Sequence, residues 1–138
     1  MILQSQPVDE ARRQAVRAFF DGLTAGAFPP ALFAPAPLFW TTLSGPMVGN
    51  AYFRVPAMLA RIFPDGLNFT VEELILEGER AAAAVRSEGR FDGDSLYSND
   101  YAFFFNFVGA QISSVAEHFN PLRVSPALSE RMRVALAD

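Results

Sequence analysis

From Asn68 to Phe119 apolar and polar residues alternate with a period of two, and turn signals interrupt the alternation at intervals, as in a meander of antiparallel strands. The predicted strands are Phe69 to Leu76, Ala81 to Ser87 after a turn near Glu77 to Glu79, Gly89 to Asp94, Leu96 to Val108, and Ile112 to Phe119 beyond Gly109. Side chains on a strand repeat every second residue, so Tyr97, Asn99, Tyr101, Phe103, Phe105 and Phe107 share one face of the long strand. Polar atoms therefore gather at one end of an otherwise apolar wall. Such a wall suits a cavity for an apolar ligand carrying a few hydrogen-bonding groups.

Ahead of the strands the period changes. Val8, Ala11, Ala15, Phe19, Phe20 and Leu23 recur at helical spacing, which predicts a helix from about Val8 to Leu23 with Gly26 as its stop. Its apolar stripe must cover a sheet. The Pro-, Ala- and Phe-rich segment Ala27 to Ala36 suits a turn leading into a strand around Phe39 to Leu43, ended by Ser44, Gly45 and Pro46. Asn50 suits a helix cap, and Pro56 suits the first turn of a second helix bearing Met58, Leu59, Ile62 and Phe63, which Pro64, Asp65 and Gly66 stop. Helices followed by long antiparallel strands make an α+β arrangement, and strands of that length twist into a concave face over which the helices close. Ser125 and Pro126 start a last predicted helix through Leu136; it has no obvious place in the core and suits a contact with a partner subunit.

Composition narrows the class. A chain of 138 residues accommodates one domain with a sizeable core, and 51% hydrophobic content excludes a disordered protein. The net charge of -4 comes with 11 scattered basic residues, so nucleic acid is not an expected partner. No run of about 18 apolar residues suggests a membrane span, and Met1 to Glu10 lacks the basic and apolar segments of a secretory leader, so a cytoplasmic location is expected. With no cysteine and one histidine, thiolate chemistry and a His-rich metal site within one chain are excluded; no cofactor is expected.

The order helix, strand, helix, then a curved meander carrying Glu88-Gly89, Tyr97-Ser98-Asn99-Asp100-Tyr101, Phe103 and Phe105, and closing on Ile112 through Glu117-His118-Phe119-Asn120-Pro121, resembles the SnoaL-like branch of the nuclear transport factor 2 (NTF2) fold. The resemblance runs from about Val8 to Val124 and implies one SnoaL-like domain over residues 1–138, with its core at about 8–124 and a helical tail at 125–138. It implies a cone-shaped α+β barrel, NTF2-like and cystatin-like, with N-terminal helices on a strongly curved antiparallel sheet. It also implies a homodimer with a pocket in each subunit. The Glu-His-Phe-Asn-Pro ending is similar to that of the phenazine-biosynthesis A and B proteins, where a Glu near the end of the last strand faces the cavity. Alignment with the ketosteroid isomerases of the same superfamily puts Phe19, Phe103 and Thr41 where those enzymes carry a Tyr and two acids. Phe has no proton to donate and Thr is a weak base, so a typical steroid-isomerase mechanism is not expected.

Glu117 is the candidate catalytic residue. A carboxylate beside Phe119 and opposite an aromatic strand is partly desolvated, which raises its pKa toward neutrality; the alternative is a Glu paired with an arginine or turned to solvent. Tyr97, Asn99, Tyr101 and Phe103 are candidate ligand contacts on the cavity wall, with plain core packing the alternative for the tyrosines. Trp40, near the expected pocket mouth, Glu88, at a strand end, and His118, which alternates to the opposite face unless a bulge turns it, complete the candidate set. Asn68-Phe69-Thr70 fits a glycosylation acceptor without the leader that would make it relevant, and Asp92-Gly93-Asp94 reads as a hairpin turn rather than a calcium loop. Three functions follow: a cofactor-independent isomerase, cyclase, dehydratase or hydrolase using Glu117 on a small apolar or aromatic carbonyl compound; a non-catalytic binder of a hydrophobic metabolite; or a dimeric scaffold whose cone is filled by its own 14 phenylalanines.

Overall fold

The computed structural model describes residues 7–47 and 50–137; Met1 to Gln6 of the N-terminal stretch, residues 48 and 49, and Asp138 of the tail lie outside the described residues. Helix α1, Pro7–Ala25, turns Ala15, Val16, Phe19, Phe20 and Leu23 inward, and these side chains meet the inner face of a six-stranded sheet. The strands are β1 Phe33–Thr41, β2 Gly45–Met47, β3 Asn68–Glu77, β4 Arg80–Phe91, β5 Ser95–Val108 and β6 Gln111–Phe119, in the order β2-β1-β6-β5-β4-β3. A 3-10 turn, Ala51–Arg54, leads into α2, Val55–Ile62, with Pro56 in its first turn. A second 3-10 turn, Pro121–Arg123, joins β6 to α3, Pro126–Ala137.

The α+β class stands, with differences in detail. The sheet is mixed: β3 through β6 form the antiparallel meander, whereas β1 lies parallel to β6 with Phe39 opposite Val115 and Thr41 opposite Glu117. It is also open, with β2 and β3 as edges, so it is a curved half-enclosure rather than a closed barrel. Strand β1 begins at Phe33, six residues ahead of Phe39, because the Pro35 to Pro37 stretch is taken up as an irregularity between paired Phe33 and Leu38, with Ala36 at φ 52°. Gly89 does not divide two strands. It pairs with Tyr97 inside β4, where a Cβ would come within 3.0 Å of the Gly66 carbonyl, Leu67 and Phe63, so its bare backbone lets the α2–β3 connection pack onto the sheet. The hairpin turn falls at Asp92 and Gly93. Asn50 precedes the 3-10 turn without a side-chain cap bond.

Burial follows the pleat. On β5 the odd-numbered residues from Tyr97 to Phe107 are buried, and the even-numbered ones are exposed or half-buried. Phe19 and Phe20 meet Phe103 edge to face, at centroid distances of 5.8 and 4.9 Å. Each fully buried ring of this kind contributes roughly 3 kcal/mol by transfer from water. At the opposite end of α1, Arg12 donates from Nε to the Gly109 carbonyl (2.7 Å) and from Nη1 to the Gly78 carbonyl (2.8 Å). One guanidinium thus ties the β3–β4 and β5–β6 turns to the helix. The last helix does have a place in the core: Leu128 is 1% exposed and Met132 is half-buried beside it. No helix among the described residues is long and apolar enough to cross a membrane.

Candidate functional site

Val115, Glu117 and Phe119 alternate onto the inner face of β6, where Glu117 lies opposite Phe103 and Phe119 opposite Tyr101 on β5. Glu117 as a residue is half-buried, and its carboxyl group is densely surrounded by protein. Tyr52, on the 3-10 turn before α2, donates its hydroxyl to Glu117 Oε1 at 2.7 Å. Its ring is 1% exposed and stacks parallel on Phe39 at 4.4 Å between centroids, so strand β1 fixes the angle at which the hydroxyl arrives.

Burial pushes the Glu117 carboxyl up from its ordinary 4.5 to about 7, and the Tyr52 hydrogen bond, which favours the carboxylate, opposes that rise. Tyr52 itself is raised well above its ordinary value, by burial first and by the neighbouring Glu117 charge second, and stays a proton donor. Near neutrality the pair therefore holds a carboxyl group divided between its two forms, next to a hydroxyl that does not ionise. That is the state in which a side chain both takes and returns a proton.

Glu117 lines a small, partly open cavity of about 50 Å³, whose lining includes Tyr97, Tyr101, Phe103 and Phe119 from the sheet, Val55, Met58 and Leu59 from α2, and Leu128 and Met132 from α3. A second polar group lies along this wall. Tyr97 and Tyr101 share a hydrogen bond of 3.1 Å, and Tyr101 shares another of 2.8 Å with Ser87. Burial is the leading cause that raises both phenols, so both stay protonated. All three tyrosines of the chain thus converge on one interior region. A larger open groove of about 980 Å³ runs past Phe28, Phe33, Pro37, Leu38, Met47 and Phe53, and no acid or base lines it among the described residues.

Of the residues singled out in the sequence, Glu117, Tyr97, Tyr101 and Phe103 come together at the cavity. Asn99 does not line it. Fully buried, it donates to the Tyr97 hydroxyl and the Asn120 carbonyl and accepts from the Asp100 and Asn120 amides, tying β5 to the end of β6. His118 and Trp40 are on the outer face, where their rings meet at 4.6 Å and Phe104 lies edge-on to His118 at 5.6 Å. Trp40 turns outward because its neighbour Phe39 points into the core. Glu88 is exposed on β4 between Asn68 and Ser98, away from the cavity. Thr41 sits beside Glu117 in register with its hydroxyl bonded to Ser44, and Phe19 and Phe103 are core rings in mutual contact.

Tyr52 escaped the sequence reading because it lies in a short turn with no periodicity. A signal was available: a tyrosine within the apolar stretch before Pro56 needs a partner for its hydroxyl once buried, and Glu117 was the carboxylate already assigned to the inner face.

No family model matches the sequence, and no curated protein matches it. Solved structures do match. A candidate SnoaL-like polyketide cyclase from Jannaschia sp. CCS1 superposes with a TM-score of 0.74 at 19% identity, covering 93% of this chain and 98% of its own. An NTF2-like protein from Anabaena variabilis gives 0.74 at 20% identity over 87% and 96% of the two chains. A candidate isomerase from Bacillus subtilis gives 0.72 at 14% identity over 90% and 96%. The chain therefore has the fold shared by SnoaL-like and NTF2-like proteins.

Proposed function

We propose that this chain is a small-molecule pocket protein in which Glu117 moves a proton on an apolar or aromatic carbonyl compound, without a cofactor. The observation that carries the reading is the 2.7 Å bond between the buried Glu117 carboxyl and Tyr52, at the wall of a cavity that two further phenols line. In the carboxylate form Glu117 takes a proton from the carbon next to the carbonyl, and in the acid form it returns one at another position. A phenol hydroxyl holds the oxygen that gains charge meanwhile. Such a proton shift underlies isomerisation, and with loss of water or closure of a ring it becomes dehydration or cyclisation. The descriptions of the Jannaschia protein as a cyclase and of the Bacillus protein as an isomerase are of this kind.

One observation favours the scaffold reading instead. Small-molecule pockets commonly measure about 300–1,000 Å³, and this cavity is about 50 Å³ with Leu128 and Met132 of α3 in its wall. A ligand of ordinary size needs that wall, α3 included, to give way. A thermal-shift screen of wild type and Glu117→Gln against cyclohexanone, acetophenone and 2-naphthol separates the readings. Stabilisation of wild type that changes in the variant supports the working pocket, since a ligand that binds only the folded state raises its melting temperature. No shift with any compound supports a filled cone.

Dimerisation belongs to the same reading. Phe104 (48% exposed), Val108, Ile75 and Leu38 present apolar surface outside the core, and a second copy of the chain on the outer sheet face would cover it. Sedimentation at micromolar concentration is expected to give a dimer; a monomer contradicts this part of the reading.

A further inference from the structure

We propose that the cavity selects a ligand oxygen that accepts a hydrogen bond, a carbonyl or the enolate formed from it, and that Tyr97 is the residue that donates to it. The inference rests on the pocket reading above and deepens it, and it follows from where each proton along the buried polar chain goes.

Asn99 fixes the direction at one end. Its Oδ1 accepts from the backbone amides of Asp100 (2.9 Å) and Asn120 (3.4 Å), so the amide cannot be flipped without setting its own N–H groups against theirs. Its Nδ2 then directs one proton to the Asn120 carbonyl and the other to the Tyr97 hydroxyl, each at 3.0 Å. The Tyr97 oxygen is therefore an acceptor. Tyr97, Tyr101 and Ser87 have one hydroxyl proton each and two bonds between them. If the protons ran from Tyr97 to Tyr101 to Ser87, the Ser87 proton would be left without an acceptor among the described residues, on a side chain that is 1% exposed. Leaving a buried donor unmet costs about 1–3 kcal/mol. The reverse direction, Ser87 to Tyr101 to Tyr97, satisfies Ser87, lets Tyr101 both accept and donate, and leaves one free proton, on Tyr97. Were Tyr97 and Ser87 both to donate to Tyr101, the free proton would be on Tyr101 and the head-to-tail run in which each bond strengthens the next would be lost.

The ends of this chain differ in their surroundings. Ser87 and Asn99 are sealed in the core, whereas Tyr97 lines the cavity. Two donors on the Tyr97 oxygen, from Tyr101 and Asn99, also strengthen the hydrogen bond that its own proton makes. Both bonds act to lower its pKa against the larger effect of burial, and the Glu117 charge raises it, so the donor site and Glu117 sense one another electrostatically.

Acetophenone and α-methylstyrene, which differ by C=O against C=CH2, form a matched probe pair. With the full chain, acetophenone is expected to bind about tenfold more tightly, the yield of one good hydrogen bond. Its carbonyl stretch is expected to move to lower wavenumber on binding. In Tyr97→Phe the two probes should bind equally and the stretch should return to its value in an apolar solvent. In Ser87→Ala, with the far donor removed, the Tyr97 proton is free to turn toward Tyr101, and the preference should fall part of the way with Tyr97 intact, which a purely steric role for Tyr97 would not produce. Equal binding of both probes to wild type, or a preference that survives Tyr97→Phe, overturns the inference and leaves the pocket standing; if neither probe binds, the pocket reading falls with it.

Discussion

As pH rises from about 5 to about 8, wild type is expected to lose about 3 kcal/mol of stability relative to Glu117→Gln. The unfolded chain releases the Glu117 proton near 4.5, and the folded chain holds it to about 7. Below both values each state is protonated and the group has no effect. Between them the folded state holds a proton that the unfolded state has lost, so stability falls as pH rises. Above about 7 the full cost of a buried carboxylate is present. The gap from 4.5 to about 7, at about 1.4 kcal/mol per pH unit, sets the size of the effect. Glutamine keeps an acceptor for the Tyr52 hydroxyl and has no charge to bury, so its stability should lack this slope. Urea unfolding of both proteins at the two pH values measures the difference; parallel behaviour would mean that Glu117 titrates as an exposed acid does.

Truncation of Leu128 to alanine is expected to cost about 2–5 kcal/mol, the range for a leucine removed from a core that cannot fully collapse around the gap. Leu128 is 1% exposed and forms part of the wall of the Glu117 cavity, so the space it vacates joins that cavity. The variant should therefore gain from a small apolar compound what it loses in packing. Toluene is expected to raise its melting temperature more than that of wild type. A loss below about 1 kcal/mol with no response to toluene would show α3 to be an appended tail, as its sequence alone suggested. The same experiment bears on access, because Leu128 and Met132 put α3 in the wall of the cavity.

The sequence carried the inner wall well and the assembly of the site poorly. Alternation along β5 assigned Tyr97, Tyr101 and Phe103 to the cavity side, because a strand leaves each side chain only two directions. The same rule turned Glu117 inward and His118 outward. Gly89 read as a break, since a glycine within a strand pattern looks like a turn until the connection packed against it is visible. The parallel pairing of β1 with β6 joins residues more than seventy positions apart, and no local pattern encodes it. That pairing sets Phe39 under Tyr52 and so creates the Tyr52–Glu117 bond. Asn99 looked like a ligand contact because it shares the tyrosine face, and only its four internal hydrogen bonds show that its polar atoms are already engaged.

Glu117 is an interior acid pushed up toward neutrality by burial and held by Tyr52. An NMR titration of the Glu117 side-chain carboxyl carbon in wild type and in Tyr52→Phe tests this. A midpoint near 7 is expected in wild type and a higher one in the variant, because the Tyr52 bond favours the carboxylate. A wild-type midpoint near 4.5, unmoved by loss of the Tyr52 hydroxyl, would contradict it.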